Sequence, residues 1–234
     1  MKRIAAIFDL DHTLLRSSSG RLFFTYLRRK QLYPRFFRLR NAMPVIAAFL
    51  LYRLGQADAT VTMQRSAMVA RGIRTADLWA VVQSWFDDVL VHAIAPAGRA
   101  RVAWHQEQGH IPVICSASSQ FAVQPVAEYL EIEHTIYTEW LSEDGRLTGK
   151  VREPIVYGEG KVHWASLWAA EQQIELAQSY FYSDHISDQP LLEVVAHPIA
   201  VNPEPQLARL ARSRAWPILD WHSSAAASEV LAEK

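Results

Sequence analysis

Short apolar runs that stop at polar or acidic residues alternate with stretches of helical spacing along most of this chain. The first run, Ile4-Ala5-Ala6-Ile7-Phe8, is continuous and ends at two acids, which predicts a buried strand over 3–10. From about residue 17 to 93 no convincing strand follows. The spacing there predicts helices over 21–30, 36–54 (bent or started late by Pro44), 58–70, and 75–89 with Thr75 as N-cap. After Pro96 the alternation resumes as helix 97–108, strand 111–116, helix 121–130 and strand 134–138. A hairpin is expected around Glu143-Asp144-Gly145-Arg146, where Asp-Gly supplies the turn. Helix 160–172, strand 179–183, helix 188–194, strand 199–201, helix 206–213 and a last strand near 217–219 complete the pattern. This alternation predicts an α/β fold, a doubly wound parallel-sheet core of Rossmann-like type with an all-helical block inserted directly after the first strand. The expected division is a core of 1–15 and 94–234 and an insert of 16–93.

Composition changes this picture little. A chain of 234 residues, 50% hydrophobic and 21% charged, is globular and of the size of one domain or one domain with a lid. The single cysteine, Cys115, excludes an intramolecular disulfide and a multi-thiolate zinc site, fits a reducing compartment, and reads as a buried core thiol. Met1-Lys2-Arg3 leads into an apolar run without a small-residue cleavage site, and the longest uncharged apolar run, 42–52, is about half the ~20 residues of a spanning helix. A cytoplasmic location is the expectation.

Charge changes it more. The formal net charge is +0, which argues against a general polyanion binder and against nucleic acid as partner. Yet nine of the 24 basic residues, and none of the 24 acidic ones, fall between Leu14 and Ala57: Arg16, Arg21, Arg28, Arg29, Lys30, Arg35, Arg38, Arg40 and Arg53. A basic insert therefore faces an acidic remainder.

Four places carry candidate chemistry. Asp9-Leu10-Asp11-His12-Thr13 ends the first strand, and carboxylates at i and i+2 of an extended segment share a face. Ligands bind at that edge of an open parallel sheet. Alone, the pair reads first as a strand followed by a solvated acidic turn. Ser116 closes the strand 111–116 ahead of a helix start whose free N–H groups suit an anion, although Ser118 or Ser119 reads as an ordinary N-cap. Lys161 opens a helix after Gly158-Glu159-Gly160; Val162 follows it, so this is not a phosphate-binding P-loop. Finally, Tyr182-Ser183 runs into Asp184 and Asp188, hard oxygen ligands of the kind magnesium takes, with Asp188 also placed to cap its helix. All four occur in order on one side of the expected sheet.

Together they resemble the four motifs of the haloacid-dehalogenase superfamily: Asp9-Leu10-Asp11-x-Thr13, Ser116, Lys161 and Asp184-x-x-x-Asp188. The insert resembles the helical cap (C1 type) of its phosphoserine-phosphatase-like and histidinol-phosphatase-like branch, subfamily IB. So do Asp144-Gly145-Arg146-Leu147-Thr148-Gly149 and His197-Pro198-Ile199-Ala200-Val201-Asn202-Pro203. The resemblance implies a magnesium-dependent phosphomonoester hydrolase acting through an aspartyl phosphate on a small phosphorylated metabolite, of phosphoserine or histidinol phosphate type. It implies Asp9 as nucleophile and Asp11 as general acid and base. Ser116, Lys161 and Thr13 would bind phosphate. Mg2+ would be held by Asp9, the backbone carbonyl of Asp11, and Asp184, with Asp188 supporting. Where this branch commonly has an acid for a substrate amine, the chain has Ser18, so Asp58, Asp87 or Asp88 would have to serve. Positions 183 and 187 are serine where glycine and asparagine are frequent.

Two other readings stand beside this one. Arg28-Arg29-Lys30 and Arg35-x-x-Arg38-x-Arg40, followed by the apolar stretch 43–54, form a basic-then-apolar segment suited to weak contact with an anionic membrane surface and a lipid phosphate substrate. The same residues also read as the insert's own core and solvated face. A non-catalytic binding module on the same fold is the other class.

Overall fold

The computed structural model describes residues 3–32, 65 and 67–222. The expected helix 36–54, most of 58–70, and with them Arg35, Arg38, Arg40, Arg53 and Asp58, lie outside the described residues. Among the described residues no helix is long and apolar enough to cross a membrane.

Six parallel strands form one sheet in the order β3-β2-β1-β6-β7-β8: β1 Ala5–Phe8, β2 Ile111–Ser116, β3 His134–Tyr137, β6 Tyr180–Ser183, β7 His197–Val201 and β8 Ile218–Leu219. The antiparallel pair β4 Trp140–Glu143 and β5 Arg146–Val151 stands apart from it. Among the described residues the helices that connect these strands include α1 Ser19–Arg29, α2 Thr75–Trp85, α3 Pro96–Glu107, α4 Gln120–Tyr129, α5 Glu159–Glu171, the single turn α6 Gln189–Leu192, and α7 Pro205–Ser213. β1 lies between β2 and β6, so the strand order reverses beside it, and the crevice beyond its carboxyl end is where such a sheet takes a ligand.

The continuous apolar runs of the strands follow from burial on both faces. Ala6, Phe8, Ile114 and Tyr182 belong to one core with Val102 of α3 and Val126 of α4. Ala5, Ile7, Val113, Cys115 and Phe181 belong to a second core with Ala165 of α5, Leu191 of α6 and Leu207 of α7. Leu27 of α1 and Leu78, Val82 and Trp85 of α2 join the first core, the last three at the i, i+4, i+7 spacing of one helix face.

The chain leaves and re-enters the sheet region at one place. Leu15 and Ile94 form an antiparallel bridge, with the Arg16 N–H donating to the Ala93 carbonyl at 2.8 Å and the Ala95 N–H to Leu14 at 2.8 Å. The β4–β5 hairpin turns at Asp144 (φ 48°) and Gly145 (φ 70°), the two positive φ values that its turn requires. Its strand β5 also receives the chain ahead of α2, since the Gly72 N–H donates to the Leu147 carbonyl at 2.7 Å.

The elements differ from expectation at their ends. The first strand stops at Phe8, and Leu10–Leu14 is a wide helical turn broken by Asp11 (ψ 133°) and His12 (φ 58°). Arg74, not Thr75, holds the N-cap position of α2; Thr75 is its first residue, and its hydroxyl, being past the cap, has no partner among the described residues. The helix expected over 188–194 is a 3-10 turn Ile186–Asp188 followed by the one turn of α6, with Pro190 in its first turn.

Candidate active site

Asp9 follows β1, and its backbone N–H donates to the Tyr182 carbonyl at 2.9 Å, so it emerges between the ends of β2 and β6. Two residues on, Asp11 points elsewhere. The Leu10–Leu14 turn gives the two carboxylates separate surroundings.

Asp9 is 7% exposed and its Oδ1 accepts from Lys161 Nζ at 2.7 Å. The same Nζ lies 2.6 Å from Asp188 Oδ2, which also accepts from Ser183 Oγ at 2.7 Å. Lys161 reaches this point because α5 starts beneath it. Gly158 at the N-cap has φ +54°, and a Cβ on Gly160 would clash with the Ile155 carbonyl, so both glycines are needed for this start. Asp188 sits at the position before α6 but makes no cap bond; its side chain is committed to Lys161 and Ser183. That corrects the capping reading and makes Asp188 the anchor of the lysine.

Burial pushes the Asp9 carboxyl up to about 7, with Lys161 opposing and Asp188 and Asp11 adding to the rise. Asp184, half-buried at the end of β6, is pushed up to about 8, first by burial and then by Asp9 and Asp188. Burial alone would lower Lys161, yet Asp188 and Asp9 hold it well above the usual lysine range, so it stays a cation. Thr13, expected on the phosphate, is fully buried, and its Oγ1 lies 3.5 Å from Asp184 Oδ1.

Asp11 accepts on both oxygens: from the Ser19 N–H at 2.8 Å on Oδ1 and from Ser118 Oγ at 3.1 Å on Oδ2. Ser19 and Ser118 hydroxyls are 3.0 Å apart. Burial raises the Asp11 pKa while the two serines pull it down. Ser118 is therefore no N-cap, and Ser119, which occupies that position of α4, makes no cap bond. Ser116, at the carboxyl end of β2, is 2% exposed and accepts from the Ser118 N–H at 3.2 Å. Ser19, Ser118 and Ser183 were not singled out as site residues from sequence. Only the nearness of Ser118 to Ser116 gave a signal.

Beside Asp11 opens a cavity of about 400 Å³ lined by Ser18, Ser19, Phe23, Val82, Trp85, Ser118, Phe121 and Trp140 among others. Asp87 and Asp88 do not line it: both are exposed, and Asp88 pairs with Lys30 at 2.9 Å. Ser18 caps α1, accepting from the Arg21 N–H at 3.5 Å. Cys115 is a fully buried thiol that burial pushes up to about 12, an inert core residue.

The donor set suits a small hard cation. Asp9, Asp184 and Asp188 share one buried cation, Lys161, and the high proton affinity of Asp9 and Asp184 expresses their burial together with that shortage of positive charge. Among the described residues no three histidine, cysteine or acidic side chains are grouped as a ready-made metal cage. Magnesium takes one or two carboxylates and keeps its waters, and Asp9 and Asp184 offer two.

The model of the haloacid dehalogenase-like hydrolases matches residues 6–193. A histidinol-phosphatase of Neisseria meningitidis is 31% identical over 235 residues, covering 94% of this chain and 100% of that protein. A crystal structure of a protein of unknown function from Bordetella pertussis superposes with a TM-score of 0.82 at 30% identity, over 94% of this chain and 100% of the other. A phosphoserine phosphatase structure with an analogue of its phospho-aspartyl intermediate shares the fold, with a TM-score of 0.66 at 15% identity over 100% and 99% of the two chains.

Proposed function

The chain belongs to the haloacid dehalogenase-like hydrolases and is a phosphatase, and from that premise we propose that it cleaves small phosphomonoesters in two steps through Asp9. The observation that carries this reading is the division of labour between two carboxylates two residues apart. Asp9 is held by a buried cation at the sheet edge, and Asp11 is held by hydroxyl and amide donors at the mouth of a cavity.

In the first step an Asp9 carboxylate oxygen bonds to phosphorus as the bond to the leaving oxygen breaks, and Asp11 gives that oxygen its proton. In the second, Asp11 takes a proton from water as the water oxygen bonds to phosphorus. The bond to Asp9 then breaks, returning its carboxylate and releasing inorganic phosphate. Phosphate monoesters hydrolyse so slowly unaided that most of the acceleration has to come from positioning and charge neutralisation. Lys161 has three N–H donors, two of them on Asp9 and Asp188, and the third serves a phosphoryl oxygen together with Ser116. Asp9, the Asp11 carbonyl and Asp184 would hold Mg2+, with Asp188 supporting the site through the lysine. The ion supplies the positive charge that keeps Asp9 ionised near neutral pH. Segment 16–93 acts as the cap, its ends joined at the Leu15–Ile94 bridge.

The experiment is phosphate release with Mg2+ using p-nitrophenyl phosphate, followed by denaturing the protein after a single turnover with labelled ester. Label bound to the wild type or to Asp11→Asn, released by hydroxylamine and absent from Asp9→Asn, is the expected result. Turnover without any hydroxylamine-labile label, or undiminished turnover by Asp9→Asn, removes Asp9 from the reaction.

A further inference from the structure

Resting on the phosphatase reading, we propose that the leaving group is a compact apolar one, a ring or short alkyl chain, and that the cavity beside Asp11 selects it against amino-acid and polyol phosphates. The cavity starts at Asp11, the group that would meet the leaving oxygen, so its walls meet whatever that oxygen carries. At about 400 Å³ it lies within the roughly 300–1,000 Å³ range of small-molecule sites.

Its walls are apolar beyond the entrance. Phe23 and Trp85 meet edge to face with centroids 4.9 Å apart, and Phe121 lies 6.0 Å from Trp140 in the same arrangement. Val82 and Leu78 of α2 also line it, and Phe24, in the lining too, stays 44% exposed. Among the described residues Asp11 is the only charged side chain in the lining. Part of the polar remainder is already engaged, while Ser119 makes no cap bond and Trp85 Nε1 has no hydrogen-bond partner among the described residues. Ser19 and Ser118 bond each other and Asp11, and Ser18 accepts from the Arg21 N–H. An ammonium and carboxylate pair, or a row of hydroxyls, would lose its water here and find, among the described residues, fewer partners than it has polar groups to satisfy, and unpaired polar groups are strongly disfavoured. An apolar group gains by leaving water, and the aromatic walls suit it.

The test compares kcat/KM for methyl, butyl, hexyl and phenyl phosphate with O-phosphoserine and glycerol phosphate, all below any micelle concentration. The expected gain is about fourfold per buried methylene, which places hexyl phosphate at least ~10² above methyl phosphate, with phosphoserine and glycerol phosphate below butyl. Phosphoserine or glycerol phosphate equal to or above hexyl phosphate overturns the proposal and leaves the phosphatase reading intact. Phe23→Ala is expected to lower the hexyl-to-methyl ratio roughly tenfold and Phe23→Leu to restore most of it. An unchanged ratio in both Phe23→Ala and Trp140→Ala also overturns it. A binding arm separates the two readings. If no ester is cleaved, tighter binding of hexylphosphonate than of methylphosphonate, read by thermal shift with Mg2+, upholds the apolar site while the phosphatase reading fails. Equal binding removes it.

Discussion

Replacing Lys161 by methionine keeps the buried stem and removes the cation, and the consequence can be worked from the two contacts it makes. Nζ lies 2.7 Å from Asp9 and 2.6 Å from Asp188, with the side chain 3% exposed. At an effective dielectric of ~20, each contact is a gross attraction of about 6 kcal/mol. Desolvation of the three charges offsets much of it, at several kcal/mol per ion. Removing one partner is a different matter, because the carboxylates then stay buried without that counter-charge, beside each other and Asp184, and that costs about 3–5 kcal/mol. Against a typical stability of ~5–15 kcal/mol this is a large fraction.

The cost depends on pH in a direction that can be checked. Asp9 in the folded protein sits at about 7 and Asp184 at about 8, both above the ordinary 3.8. The native state then keeps protons that the unfolded chain has lost, so without metal these groups favour folding least above pH 8 and most below pH 4. Lys161 is what pulls Asp9 down, so its loss raises that pKa further. The penalty of Lys161→Met is expected to be small at pH 5, where Asp9 and Asp184 can protonate, and full at pH 8. Urea unfolding followed by tryptophan fluorescence at both values measures it, and kcat/KM is expected to fall by roughly 10²–10³, as for loss of one oxyanion donor. Asp188→Asn introduced beside it should recover part of the stability, with a coupling of about 0.5–3 kcal/mol. Equal midpoints for variant and wild type at pH 8, or a larger penalty at pH 5, would refute the reasoning.

Two more predictions concern the carboxylates directly. Magnesium must displace protons from Asp9 and Asp184, so its stabilisation of the wild type is expected to be greater at pH 8 than at pH 6; thermal shifts that are equal, or larger at pH 6, contradict this. Ser118→Ala removes one of the two donors that pull the Asp11 pKa down, so the basic limb of the pH–kcat/KM profile should move to higher pH with a fall of about tenfold at its maximum. An unmoved limb disconnects Ser118 from Asp11.

What could be read from the sequence was whatever depends on local pattern. Strands buried on both faces show as unbroken apolar runs, and a parallel sheet puts all their carboxyl ends on one edge, so Asp9, Ser116 and Asp184 fall together once the strands are found. Contacts made across long separations were hidden. Ser118 meets Asp11 from 107 residues away, and in local context a serine before a helix reads as a cap. Asp188 looked like a cap for the same reason, although Lys161, 27 residues earlier, claims it. The break in the Leu10–Leu14 turn rests on His12 at φ 58°, a conformation open to histidine but not announced by it. Yet that turn decides which way Asp11 faces.

The turn also explains how two neighbouring carboxylates take opposite roles. Asp9 stays on the line of β1 and is tied into the sheet edge by a lysine, which opposes the rise caused by burial and so favours the ionised form a nucleophile needs. Asp11 is carried towards the inserted block, where the first residue of α1 gives it an N–H and the positive end of that helix faces it. Burial raises its proton affinity and these donors restrain the rise, which suits a group that must give a proton and then take one. One of its two donors belongs to the core, from Ser118 after β2, and the other to the insert, from Ser19. The acid is therefore fully held only while α1 sits against the core, and α1 also gives Phe23 and Phe24 to the cavity wall. Substrate fit and proton affinity are coupled through one helix start. An ester that leaves the cavity poorly filled should thus lose kcat as well as KM, because a loosened α1 takes the Ser19 amide away from Asp11.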